Sequence, residues 1–275
     1  MPAWEITVET KEKITLENPL FIEGLPGIGN VGKIAADFLV EEFKAKKLAT
    51  FFNYKYPHSV FVTENNLAEM PKIELYYKKF DDKSNKDTAS KKNGKRDLLL
   101  LVGDIQPLDE ESCYSFCDEI IKIAKSYGSS EIIATGGIGL QQIPDQPKVY
   151  CTSNDKQLYE EYSKQPLIQK EVFGVVGPIV GVTGVLLGLG KKRNMKAVAL
   201  LAETFAHPMY LGIKGAQELL RVFEAKFQYG IDLQKMTKEI ERVEREVTKR
   251  MKVVAAEISA TAGAKAKEKE MHYIG

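Results

Sequence analysis

Gly27-Ile28-Gly29-Asn30-Val31-Gly32 spells G-x-G-x-x-G between an apolar run ending at Gly24 and a segment of helical periodicity beginning at Lys33. Such a turn aims backbone N–H groups and a helix N-terminus at a phosphate, the arrangement of a pyrophosphate cradle. A dinucleotide site also needs an acid near the end of the following strand to hold the ribose hydroxyls. The segment Leu48 to Tyr56 contains none. The same glycines serve equally well to make a tight turn and to let a helix approach a sheet closely, with Pro26 stiffening the turn. A second cluster, Gly136-Gly137-Ile138-Gly139, follows another apolar run, where open α/β sheets receive ligands. Asp104 and Glu203 stand at the carboxyl ends of two further runs, placed for acid–base chemistry or for capping helices and holding loops. Gly27, Gly29, Gly32, Asp104, Gly136, Gly137 and Glu203 therefore make up the candidate ligand pocket.

Other chemistry finds little support. There is no Gly-x-Ser-x-Gly elbow, and His58, His207 and His272 lie in unrelated contexts. Cys113 and Cys117 are i, i+4 on one helix face and read as core; no histidine lies close enough to suggest a metal site. The glycines at 174, 177, 181, 184 and 188 are spaced 3, 4, 3, 4, a smooth side if helical, but no Gly-Lys-Ser or Gly-Lys-Thr accompanies them. The expectation is a protein with no catalytic set, no metal and no cofactor. The alternative is a nucleotide- or nucleoside-binding α/β enzyme using the Gly27–Gly32 turn.

The charge balance points the same way. Lys and Arg total 39 against 38 Asp and Glu, a net charge of +1, which lacks the basic excess that phosphate neutralisation requires. No nucleic-acid partner is expected. Three cysteines cannot all pair, and a reducing cytoplasm suits them. Residues 172–189 carry no charge, but their glycines and Pro178 contribute little transfer free energy, so no membrane span is expected.

These residues are positioned by alternating buried strands and helices. Pro19–Gly24, Asp97–Gly103 and Glu131–Gly136 read as buried strands, the second apolar on both faces as parallel strands are, and Ala197–Ala202 is a further strand candidate. Leu48–Tyr56, Val60–Val62, Lys72–Phe80, Val149–Cys151 and Glu171–Val176 are further strand candidates, with a local antiparallel hairpin between Val60 and Phe80. Helices are predicted from Lys33 to Lys44, Glu110 to Tyr127, Lys156 to Lys164 and Gly215 to Phe227. The fold class that follows is α/β, a three-layer sandwich on a mostly parallel sheet. Residues 1–230 form this core, and residues 81–96, without a large apolar side chain, form a mobile surface loop. Met236, Ile240, Val243, Val247, Met251, Val254 and Ile258 define an amphipathic helix over 231–260, packing on its own domain or between subunits. Residues 261–275 read as a flexible tail with an apolar-aromatic tip.

Taken in order, Gly24 to Leu39, Asp97 to Pro107, Glu131 to Gly139, Gly184 to Gly190 and Leu200 to Leu220 resemble the proteasome assembly chaperone family, especially its archaeal members. The resemblance runs from about residue 18 to residue 245. It implies a nucleoside-phosphorylase-like core without catalytic residues, a homo-oligomer, and ATP-independent escort of proteasome core-particle subunits. Some archaeal members insert a C-terminal hydrophobic-Tyr-any tripeptide between proteasome α subunits. Here Tyr273 is third from the end, and His272 takes the hydrophobic place. The resemblance thus implies His272, Tyr273, Ile274 and Gly275 as partner-binding residues.

Overall fold

The structure, a computed structural model, describes residues 4–9, 14–63, 65–80, 95–171 and 177–238. The chain divides into two compact units, Met1–Ile231 and Asp232–Gly275. Residues 233–238 of the second are helical. Most of the expected loop at 81–96, the rest of the C-terminal helix and the whole tail lie outside the described residues.

Among the described residues of the first unit, five stretches become α-helices and eleven segments become strands. The strands are β1 (Glu5–Val8), β2 (Leu20–Gly24), β3 (Lys46–Phe52), β4 (Phe61–Val62), β5 (Ala68–Glu69), β6 (Ile73–Lys78), β7 (Leu98–Gly103), β8 (Glu131–Leu140), β9 (Val149–Ser153), β10 (Ile168–Gln169) and β11 (Lys196–Phe205). The helices are α1 (Val31–Glu42), α2 (Glu110–Ser126), α3 (Lys156–Tyr162), α4 (Val182–Lys192) and α5 (Ile213–Phe227). Nine strands form one sheet in the order β1-β3-β6-β7-β2-β8-β11-β9-β10, and β4 pairs with β5 separately.

The centre, β7-β2-β8-β11, is parallel throughout. β1, β3 and β6 extend it antiparallel on one side, and β9 lies antiparallel to β11 on the other. The expected mostly parallel sheet is thus corrected to a parallel centre with antiparallel flanks. Central strands are joined by helical crossovers, whereas the flanking strands return alongside neighbours without needing one.

Side-chain alternation explains why the middle strands are apolar on both faces. Phe21, Leu99, Leu101, Ile132 and Ala134 pack with Phe116, Cys117 and Ile120 of α2 and with Val182 and Leu186 of α4. Their neighbours Leu20, Ile22, Leu98, Leu100 and Ile133 are equally buried on the opposite face, where α1 and α5 lie. Local chemistry starts α2 where it does: the Asp109 carboxylate accepts the Ser112 N–H at 3.0 Å, and Glu110 and Glu111 complement the helix dipole. Among the described residues no helix is long and apolar enough to cross a membrane.

The second glycine cluster is divided. Gly177 and Gly181 precede α4, Gly184 and Gly188 lie within it, and Gly174 falls outside the described residues. The expected smooth helical side therefore does not extend over the whole run. Likewise β8 continues past Gly136 to Leu140, paired with β11 along its length. The cluster Gly136-Gly137-Ile138-Gly139 is in a strand rather than in a loop after one.

Candidate functional site

The strand-to-helix turn after β2 packs hard against the sheet. Ile28–Asn30 form one 3₁₀ turn, within which Gly29 has φ +61°, a left-handed conformation that favours glycine. A Cβ at Gly29 would lie 2.6 Å from Thr204 Oγ1, and one at Gly32 would lie 2.5 Å from the Thr135 carbonyl oxygen. From the other side, a Cβ at Gly137 would come within 2.3 Å of the Ile28 carbonyl oxygen. Gly29, Gly32 and Gly137 thus let the turn and α1 sit directly on β8 and β11. A dinucleotide fold would need β3 beside β2, but β6 and β7 stand between them. The turn packs closely on the sheet, and the strand order is not that of a dinucleotide fold.

Above the carboxyl end of β2 and the second half of β8 is a cavity of about 430 Å³. It is walled by the turn at Leu25–Ile28, by Gly136–Gly139, by the segment 177–181, and by Thr183 and Leu201. Gly27, Gly136 and Gly137 of the expected pocket line it; Gly29, Gly32, Asp104 and Glu203 do not. Asp104 accepts the Lys72 N–H at 3.1 Å, tying β6 to β7. Glu203 accepts the Lys148 N–H at 2.9 Å and the Tyr150 hydroxyl at 3.1 Å, tying β11 to β9. Both carboxylates hold backbone in place.

The polar wall of the cavity comes from residues that the motifs did not single out. Glu23, 1% exposed, accepts the Leu25 N–H at 2.9 Å through Oε1, and its Oε2 lies 3.1 Å from Thr183 Oγ1. Burial pushes its carboxyl up to about 7, against the opposing pull of those hydrogen bonds. Gln106 donates to the Pro26 carbonyl at 2.8 Å and accepts the Val182 N–H at 3.2 Å, bridging the turn to the start of α4. A signal for Glu23 exists in the sequence, since a charge inside Leu-Phe-Ile-Glu-Gly is out of place in a buried strand. Gln106 and Thr183 carry no such signal. Among the described residues, no three His, Cys, Asp or Glu side chains assemble as a metal site. His272, Tyr273, Ile274 and Gly275 lie outside the described residues.

This is an α/β protein with helices on both faces of its sheet, a glycine-packed turn and one buried carboxyl in a ligand-sized cavity. Residues 21–251 match the model of the PAC2 family, and the chain belongs to that family. Its likeness to the archaeal proteasome assembly chaperone homologues is borne out in structure. It is 31% identical to Pyrococcus furiosus PbaB, whose crystal structure is described as that of an archaeal proteasome activator. That match covers 91% of this chain and 100% of the other, with a TM-score of 0.78. Pyrococcus furiosus PbaA, described as an archaeal homolog of proteasome-assembly chaperone, shares the fold at 22% identity and TM-score 0.70 over 100% of both chains. An uncharacterized Methanocaldococcus jannaschii protein is 28% identical over 271 residues, 98% of this chain and 97% of that one.

Proposed function

We propose that this chain is a non-catalytic, ATP-independent proteasome assembly chaperone or proteasome-binding adaptor, acting as a cytoplasmic homo-oligomer. The likeness to the activator PbaB over 91% of this chain carries this reading. In it, residues 1–230 are a nucleoside-phosphorylase-like core, 231–260 a projecting helix, and 261–275 a tail that presents Tyr273 to proteasome α subunits. Aromatic anchors carry a disproportionate share of binding energy at protein interfaces, which is why Tyr273 is the side chain chosen. The β4–β5 hairpin adds support, exposing Phe61, Val62 and Leu67, with Met70 just after it, where an isolated domain gains nothing from apolar surface.

Native mass spectrometry of the full chain, alone and mixed with archaeal proteasome α subunits, tests this reading. A defined mixed complex lost on deleting residues 271–275 supports both the partner and the tail contact. A complex that survives the deletion moves the contact to the core or helix. Absence of any mixed complex overturns the proteasome reading, and a monomeric mass for the free protein overturns the homo-oligomer.

A further inference from the structure

The cavity has one feature that neither packing nor a proteasome partner explains. Among the described residues, Glu23 is the only ionisable side chain that lines it, and no Lys, Arg or His stands among the groups that act on Glu23. A carboxylate offers about four acceptor positions, of which the Leu25 N–H, Thr183 Oγ1 and the Thr135 backbone account for three. Thr183 has a single proton to share between Glu23 Oε2 at 3.1 Å and the Thr135 carbonyl oxygen at 3.4 Å. When that proton goes to the Thr135 carbonyl, Glu23 keeps only neutral backbone partners, at Leu25 and Thr135. An ionised carboxylate in such a place is expensive unless a counter-charge arrives. Glu23 in turn acts to raise the thiols of Cys113 and Cys117 on α2, which supply no positive charge.

The remaining walls are apolar or backbone. Leu25, Ile138, Ile179 and Leu201 line the space, and Ile28 and Val180 are exposed at its edge. Its volume lies in the lower part of the range typical of small-molecule sites, enough for a ligand of roughly ten heavy atoms. We infer that this cavity binds a small organic cation, a primary ammonium or amidinium on a compact apolar body, with the Glu23 carboxylate as its counter-ion. An N–H of the cation takes the remaining acceptor position, or that of Thr183 when its proton turns to Thr135, and the apolar body covers the aliphatic walls. Burial of the Glu23 carboxylate strengthens its attraction for a counter-charge, which makes the match selective for positive charge.

The test uses the full chain, methyl-labelled at Ile, Leu and Val, titrated in NMR with benzylamine and benzamidine, and with benzyl alcohol and benzoate as isosteric controls. Saturable shifts at the Ile138, Ile179 and Leu201 methyls are expected with the two cations and not with the controls. Because Glu23 holds its proton up to about 7, benzylamine affinity should fall about thirtyfold from pH 8 to pH 5.5, while the amine stays charged throughout. Glu23→Gln should weaken benzylamine binding at least about tenfold at pH 8, with the methyl spectrum of the free protein otherwise preserved. Equal binding of benzyl alcohol and benzylamine, preference for benzoate, unchanged affinity in folded Glu23→Gln, or no saturable shift at millimolar benzylamine would each overturn the inference. Should Glu23→Gln not fold, the comparison of the four probes across pH on the wild-type chain decides the matter alone. None of these readouts involves a proteasome subunit, so the result stands apart from the proposed function.

Discussion

Replacing Glu23 with Gln isolates the stability cost of one buried carboxyl. In the unfolded chain this group ionises near 4.5; in the folded protein burial raises it to about 7. Below the lower value both states carry the proton, and the group contributes no pH dependence. Between the two values the folded state binds more protons than the unfolded one, so stability falls as pH rises; above about 7 both states are ionised and the loss is complete. The rise corresponds to about 3 kcal/mol, at about 1.4 kcal/mol per pH decade. Gln is nearly isosteric, its carbonyl can accept the Leu25 N–H, and its amide can donate to Thr183 Oγ1 or Thr135 O. It cannot ionise. Urea unfolding of both proteins from pH 4 to pH 8 should therefore show Glu23→Gln gaining on the wild type by about 3 kcal/mol across that window, on the order of 5–10 °C in Tm at the upper end. Every other titrating group is common to both chains and cancels in the difference. A wild-type minus variant difference that stays flat across the window would refute the reasoning, because it would mean that Glu23 meets water or a cation in the folded state.

Helix propensity predicts that both Gly32→Ala and Gly188→Ala stabilise the protein by up to about 1 kcal/mol. The structure separates them: a Cβ at Gly188 meets nothing within 4 Å, whereas at Gly32 it strikes the Thr135 backbone, and this variant should lose about 1–3 kcal/mol in chemical denaturation. Thr204 Oγ1 is buried without a hydrogen-bond partner among the described residues, so Thr204→Val should be neutral or raise stability by about 1 kcal/mol, read as an unchanged or higher Tm. Tyr162→Phe deletes the hydroxyl that donates to Glu131 Oε2 at 3.0 Å and should lower stability by about 1–2 kcal/mol in urea melts. Tyr273→Ala should weaken the mixed complex with proteasome α subunits in native mass spectrometry while leaving the oligomer intact.

Much of the element pattern is local and so could be read from the residues alone. The leucine run at 98–101 is apolar on both faces because both faces are covered, and α2 declares itself by apolar spacing and by Asp109 at its start. The turn at Gly27–Gly32 was legible as glycine-dependent, but its purpose was not, since a phosphate and a neighbouring strand make the same demand for a missing Cβ. Strand order also lay beyond reach: nothing within Lys46–Phe52 states that it pairs with β1 and β6 at one flank instead of lying beside β2. The same holds for the cavity. Asp104 and Glu203 looked more chemical than Glu23 because they end their strands, yet each is occupied holding backbone. Glu23 acquires its character only when Thr183, 160 residues away, is brought to 3.1 Å and water is excluded. The sequence by itself determined which segments alternate and which are buried, because hydrophobic period is a property of neighbours along the chain. Tertiary structure alone decided which glycine faces a sheet and which a cavity, and which carboxyl is left without a counter-charge, because desolvation and close approach arise between residues that the sequence does not place together.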